Sequence, residues 1–277
     1  MGIYADLHVH TTVSDGQLTL EELPDVAAEL ELSVVGVTDH DRLHPGFDGP
    51  VESRDGVTLV RGIELRVQAD SQRVDLLGYG VEQTDPLQTR LEALQQNRIE
   101  RTRQILERVE DRLEIRLDVA LTEGVGRPHV ARALEAHDGV DIDGNEAFQT
   151  LIGPDCPCYV AREIPDFETA LELLRESCGL VSLAHPLRYP DPESALELAS
   201  DLDAVERYYP YEEPVDSSPV EDTVETDALL VTGGSDAHDA TLGRAGLDEA
   251  AWDQLAAVLK DSPKPEGSGN SSPNSRI

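Results

Sequence analysis

Short runs of β-branched and aliphatic residues alternate along the chain with stretches in which apolar residues recur every three or four positions. The short runs are Ile3–Leu7, Ser33–Thr38, Val57–Val60, Val74–Tyr79, Leu180–Ala184, Ala204–Glu206 and Leu229–Thr232, and they read as strands. Helical spacing marks Leu20–Leu30, where Leu20, Leu23, Ala27 and Leu30 share a face and Thr19 stands at the N-cap position. Phe167–Cys178 follows the capping residue Asp166 and stops at Gly179. Glu193–Ala199 and Glu249–Leu259 complete the regular helices. Strand–helix alternation predicts parallel strands with helices outside, in a barrel or a doubly wound sheet.

The rhythm breaks between Pro86 and about Val160. Leu87–Leu113 reads as one long helix rich in arginine and glutamate, followed by helical pieces at Val130–Ala136 and Glu146–Leu151. The expected organisation is a barrel built from residues 1–85 and 161–262, with a helical insertion at 86–160 placed to sit over its mouth. From Pro263 apolar periodicity is lost, and residues 263–277 read as a disordered tail. No internal repeat is visible.

Nearly every predicted strand runs into a residue that can bind a metal. Ile3–Leu7 leads to His8 and His10, Ser33–Thr38 to Asp39 and His40, and Val57–Val60 to Glu64. Leu180–Ala184 leads to His185, Ala204-Val205 to Glu206, and Leu229–Thr232 to Asp236 and His238. In a parallel barrel the strand C-termini share one rim, so positions far apart in the chain converge there. Residues i and i+2 of an extended segment point the same way, so His8 can act with His10 and Asp236 with His238. One strand-end histidine is usually structural; five of the eight in the chain, interleaved with carboxylates, point to metal ligation by imidazole and carboxylate. His44 and His137 lack that context and read as structural.

Composition changes the picture in one respect. The 277 residues carry 56 Asp and Glu against 22 Lys and Arg, a net charge of −34. Only Lys260 and Lys264 are lysines. Such charge destabilises a compact chain in dilute salt, whereas at ~1 M salt the Debye length is only ~3 Å. An acidic, lysine-poor chain that keeps its arginines resembles the soluble proteins of salt-accumulating extreme halophiles. A disordered acidic chain is the competing reading, and the regular apolar runs oppose it. The diffuse negative charge argues against duplex DNA as a partner, no apolar run is long enough to span a membrane, and no obligate protein partner is evident. The N-terminus enters a strand without a basic leader region, so a cytoplasmic location is expected. Cys156, Cys158 and Cys178 make no zinc-knuckle spacing and read as idle or buried thiols.

Six segments, taken in order, resemble a known family: Asp-Leu-His-Val-His from Asp6 with Ser-Asp-Gly from Ser14, Thr-Asp-His-Asp from Thr38, Gly-Ile-Glu from Gly62, Gly-Arg-Pro-His from Gly126, Ala-His-Pro from Ala184 and Ser-Asp-Ala-His from Ser235. Together they resemble the PHP (polymerase and histidinol phosphatase) superfamily over about residues 1–250, and within it the stand-alone nucleotide phosphoesterases. The resemblance implies an α/β fold, a distorted (β/α)7 TIM-like barrel, with two to three divalent cations. Mn²⁺ leads, with Mg²⁺, Fe²⁺ and Zn²⁺ open. It implies one cation on His8, His10, Glu64 and Asp236, a second on Glu64, His185 and position 75, and a third on Asp15, His40 and His238. Asp6 and Asp39 are expected to orient neighbouring imidazoles, and Glu206 to stand behind the ligands. Arg127 and His129 are expected at the substrate phosphate, with Arg188 as a further substrate-binding candidate. Cations in such a cluster acidify water and clamp phosphoryl oxygens for in-line displacement.

The implied substrate is a 3′,5′-nucleoside bisphosphate or the 5′ end of a short oligonucleotide. Three alternatives stay open: histidinol-phosphate hydrolysis, an amidohydrolase-type deaminase, and a non-catalytic metal-binding regulatory domain. The absence of lysine before Lys260 weighs against the deaminase. One position departs from the family pattern. Where a histidine normally precedes Leu-Leu-Gly-Tyr, this chain has Asp75. Ligation by Asp75 would put four carboxylates in the set, raise its negative charge and favour hard cations.

The charge pattern yields a direct expectation: the thermal midpoint rises between 0.1 M and 3 M KCl. A cooperative melt that does not move over that range would refute the halophilic reading.

Overall fold

A computed structural model of the chain describes residues 2–261. The tail expected at 263–277 therefore lies outside the described residues. The strands are β1 (Ala5–Val9), β2 (Val34–Val37), β3 (Val51–Arg54), β4 (Val57–Gln68), β5 (Arg73–Tyr79), β6 (Leu180–Leu183), β7 (Ala204–Tyr208) and β8 (Leu230–Gly233). Seven of them form one sheet in the order β1-β2-β4-β5-β6-β7-β8, and β3 pairs on the side with β4. Val9 bridges Ala237 just after β8, where the His10 N–H donates to the Ala237 carbonyl at 3.0 Å, so the sheet nearly closes into a barrel.

The expectation of an all-parallel sheet fails at one strand of the barrel path. β5 runs antiparallel to both neighbours, β4 and β6, while the other pairs on the path are parallel. The reason is connection length. Only residues 69–72 separate β4 from β5, and a parallel crossover needs about a dozen residues or more. A hairpin is the only solution, and it reverses β5. The short β3 also went unread, because Val51 is its only apolar residue.

The long helix α2 (Asp85–Leu113) starts on Thr84, whose hydroxyl accepts from the Leu87 N–H. Behind it come α3 (Arg127–Glu135), α4 (Gly144–Ala147) and a π-helical turn, Phe148–Ile152. Ile105, Val109, Val130, Leu134, Leu151 and Ile152 from these pieces bury one another in an apolar cluster of their own. The remaining helices are α1 (Leu23–Glu29), α5 (Phe167–Ser177), α6 (Pro192–Glu197), α7 (Ser218–Asp227) and α8 (Glu249–Asp261). Thr19 does not cap α1 as expected; its hydroxyl and N–H both donate to the Glu22 carboxylate, one turn before the helix. Helix α7 was not foreseen, since Val220 and Val224 are its only apolar residues and only Val220 is buried.

Two apolar layers flank the barrel wall. Ile63, Leu65, Val74, Leu76, Val181 and Leu183 pack outward on α2 and α5. Ala5, Leu7, Val34, Val60, Leu77 and Tyr79 pack with Trp252 and Leu255 of α8. One irregularity in β1 changes where its side chains point. Asp6 pairs with Val35 and Val9 with Val37, so β1 spends three steps where β2 spends two. This bulge breaks the in–out alternation. Leu7 faces the layer with Val60 and Tyr79, yet its neighbour His8 also turns inward, toward Glu64 and Glu206.

Candidate metal centre

The residues expected at the rim converge. His8 and His10 come from the end of β1, Asp15 from the loop after it, and His40 from the segment after β2. Glu64 lies within β4, Asp75 within β5, His185 just after β6, and Asp236 and His238 just after β8. Asp75 is near the start of its strand, not the end, and reaches the same rim because β5 is reversed. Three groups have ligand atoms within 4.8 Å of one another and could hold a metal ion: His8, His10 and Asp236; Glu64, Asp75 and His185; and His10, Asp15, His40 and His238. The placement adds one feature to the implied ligand sets: His10 also belongs with the third group, its ring stacked on His238 at 4.1 Å.

Glu64 joins the three. Its Oε1 is 3.1 Å from His185 Nε2 and 3.6 Å from His8 Nε2; its Oε2 is 2.6 Å from His40 Nδ1 and 3.5 Å from His10 Nε2. The residue is 2% exposed. Burial pushes its carboxyl up, but the imidazoles of His40 and His8 outweigh burial and hold it well below the usual range. Burial pushes His40 down, and Glu64 and Asp15 more than offset this, leaving it at about 9. His8 is likewise raised, because Glu206, Asp236 and Glu64 outweigh burial.

The chemistry of the donor set suits divalent cations. His8 Nε2, His10 Nδ1 and Asp15 Oδ1 are buried without a hydrogen-bond partner, although protein interiors normally satisfy such atoms. Three imidazole or carboxylate atoms left unpaired in one place are what a cation would satisfy. His185 (φ 29°) and Asp236 (φ 49°) also sit in the left-handed region that side chains rarely adopt. Such strain concentrates at functional sites.

Groups behind these side chains fix them. Glu206 Oε1 contacts His8 Nδ1 at 3.0 Å while its Oε2 accepts from the His185 N–H at 2.7 Å. Asp6 and Asp39 do something different from the imidazole orientation expected of them. Asp6 accepts from the N–H and hydroxyl of Ser235 and from the Gly243 N–H; Asp39 accepts from the Thr11 N–H and hydroxyl and from the Ser14 hydroxyl. They grip the loops that carry Asp236 and Asp15. Asp236 Oδ2 accepts from Arg188 at 2.9 Å and from the Tyr209 hydroxyl at 2.8 Å, so Arg188 leans on a rim carboxylate while staying half exposed.

Arg127 is largely buried against Phe148 and Tyr159 and donates to the Ile152 carbonyl of the π turn. His129 Nδ1 accepts from the Gly126 N–H, and the ring borders a cleft of about 330 Å³ with Ser14 and Arg132. His44 and His137 lie outside the three groups, each accepting from a backbone N–H two residues on. Cys156, Cys158 and Cys178 are free thiols.

Sequence reasoning missed the surroundings of Arg127. Arg66, Arg98, Arg101 and Arg162 lie near enough to repel it or one another. Two carboxylates serve this group: Asp41 pairs with Arg98 and Arg162, and Asp75 with Arg66. Among the described residues, Arg101 and Arg127 form no ion pair. Burial, then Arg127 and Arg162, pushes Arg101 down to about 9. Asp41 ties the cluster to the centre, its N–H donating to the Glu64 carbonyl at 2.9 Å. A signal was present: Leu87, Leu91, Leu94, Arg98, Arg101 and Ile105 follow one buried stripe of α2, and two of those positions are charged.

A sequence profile of the PHP domain matches residues 6–111. A 5′-3′ exoribonuclease of Haemophilus influenzae is 31% identical over 194 residues, covering 66% of this chain and 69% of that protein. The chain belongs to the PHP family. A second relative, the 3′,5′-nucleoside bisphosphate phosphatase of Chromobacterium violaceum, is 29% identical over 200 residues, covering 69% of this chain and 70% of its own. Among solved structures, a Bifidobacterium adolescentis protein classed as a metal-dependent phosphoesterase superposes with a TM-score of 0.75. It is 23% identical and covers 92% of this chain and 96% of that one, so the two chains share one fold. No helix among the described residues is long and apolar enough to cross a membrane.

If His40 is a ligand, cation binding must displace its proton, because imidazole binds metals in its neutral form. In the cation-free chain His40 stays protonated up to about pH 9. Its raised value stabilises the fold below pH 6.5, and that contribution fades as pH approaches 9. Calorimetry at pH 7.5 in two buffers of different ionisation enthalpy should therefore show proton release on Mn²⁺ binding, with affinity rising from pH 6.5 to 8.5. Binding without proton release would remove His40 from the ligand set.

Proposed function

We propose that this chain is a divalent-cation-dependent phosphoesterase acting on a small nucleotide, a 3′,5′-nucleoside bisphosphate, or on the 5′ end of a short oligonucleotide. One observation carries the reading: a cluster of unpaired imidazole and carboxylate atoms abuts a partly buried group of arginines short of carboxylates, in a chain of net charge −34. Burying cations without counterions is costly unless an anion completes the site. A doubly phosphorylated substrate would supply one phosphate to the metal centre and another to the arginines. The names of the two relatives point to the same class of substrate.

In this reading His8, His10, Glu64 and Asp236 hold one cation, Glu64, Asp75 and His185 a second, and Asp15, His40 and His238 a third. Mn²⁺ suits the mixed set of imidazoles and carboxylates best, with Mg²⁺, Fe²⁺ and Zn²⁺ as competitors. Bound cations would acidify water and neutralise phosphoryl oxygens. The protein's own part is positional. Arg127, in a planar fork, would orient the phosphate and stabilise charge gathering on the phosphoryl group, with His129 beside it. Arg188, already on Asp236, would reach the substrate from the other side of the rim. A salt-accumulating cytoplasm is the setting that the charge and the free thiols favour.

Phosphate release from 3′-phosphoadenosine 5′-phosphate, measured in high KCl, should depend on added Mn²⁺ and vanish in EDTA. Arg127→Ala should raise KM roughly tenfold or more, the scale of losing a hydrogen bond to a charged group. Full activity in excess EDTA would exclude the metal reading. Faster turnover of histidinol phosphate would replace the substrate assignment, and no turnover of any phosphate ester would leave a regulatory domain.

A further inference from the structure

Asp75 stands where the family resemblance implies a histidine, and the structure gives it a partner. Arg66 of β4 lies directly across the ladder from Asp75 of β5. Its Nε donates to Oδ1 at 2.7 Å and its Nη2 donates to Oδ2, a two-pronged grip on both oxygens. The backbone of Asp75 is locked as well: its N–H donates to the Tyr189 hydroxyl at 2.7 Å, and its carbonyl accepts from the Ala184 N–H at 3.0 Å. The carboxylate is 1% exposed and cannot swing away. Its Oδ2 lies 3.8 Å from His185 Nε2, which in turn is 3.1 Å from Glu64 Oε1.

Charge and lone pairs decide what this arrangement can do. A carboxylate oxygen has two lone pairs, and Arg66 uses one on each oxygen of Asp75. Oδ2 keeps one for a cation. The Arg66–Asp75 pair is neutral overall, as an imidazole is. The extra negative charge expected from a fourth carboxylate is therefore offset at its source, while the donor atom changes from nitrogen to the harder oxygen.

We propose that Arg66 and Asp75 work as one neutral unit that takes the place of an imidazole ligand at the Glu64–His185 cation site and biases that site toward Mn²⁺ or Mg²⁺ over Zn²⁺. Arg66 is a positioning residue here, and the inference rests on the cation-dependent reading above. It requires strong coupling between the two positions. Asp75→His alone would set an imidazole beside an unpaired guanidinium, adding a positive charge next to the cation. In an Arg66→Met background the same change restores a neutral nitrogen ligand.

The experiment is equilibrium dialysis of the full chain in high KCl with Mn²⁺ and with Zn²⁺, followed by metal analysis, for the parent, Arg66→Met, Asp75→His and the double variant. Asp75→His should weaken the most affected Mn²⁺ site at least tenfold when Arg66 is present. It should change it less than threefold in the Arg66→Met background, with the Zn²⁺ to Mn²⁺ preference raised in the double variant. The Arg66 side chain is 42% exposed, so Arg66→Met leaves no buried void. Should Asp75→His not fold, Asp75→Asn carries the same test, since it too strands the guanidinium. Equal effects in both backgrounds overturn the proposal. A parent chain that binds no cation sinks the cation-dependent reading itself, which a failure of coupling alone would not.

Discussion

One buried carboxylate, Glu64, organises this molecule. It lies within 4 Å of four imidazoles, those of His8, His10, His40 and His185, which come from three different strand ends. A charged carboxylate at 2% exposure is expensive unless its surroundings answer it. Here the answer is imidazoles on both oxygens, with Asp15, Asp75 and Asp236 close behind them. Such a concentration of negative charge and unpaired donors is poorly suited to stabilising a fold by itself. It makes sense as a receptacle for cations, and the rest of the barrel reads as the means of holding it together.

Backbone devices place each ligand. The bulge in β1 turns His8 and then His10 inward after Leu7 has already faced the apolar layer. The four-residue hairpin reverses β5 and delivers Asp75 to the rim from the wrong end of its strand. Left-handed backbone at His185 and Asp236 bends the chain directly after β6 and β8. Asp6 and Asp39 hold the loops of Asp236 and Asp15 through backbone N–H groups and hydroxyls, so the centre is kept in place by ordinary hydrogen bonds one layer out.

Much of this was legible before any coordinates. β-Branched runs leading to His8, His40, Glu64, His185, Glu206 and Asp236 located six of the strands and the side chains they bring together, because these residues and the strands are adjacent in the chain. What could not be read depends on partners distant in sequence. Nothing local shows that Arg66 meets Asp75 across a ladder, or that Tyr209 and Arg188 share an oxygen of Asp236. The reversal of β5 was implicit in the shortness of residues 69–72, yet strand–helix alternation elsewhere overrode it. Arg98 and Arg101 were visible as charges on an apolar stripe, but their meaning depends on Arg127 and Arg162 arriving beside them from elsewhere in the chain.

The central claim is that the imidazoles and carboxylates around Glu64 are a cation receptacle. Crystals grown with Mn²⁺ and measured near the manganese absorption edge test it most directly. The account predicts anomalous peaks within coordinating distance of the three groups, at least one of them touching Glu64. Peaks confined to the acidic outer surface, with the cluster around Glu64 empty at saturating Mn²⁺, would contradict it.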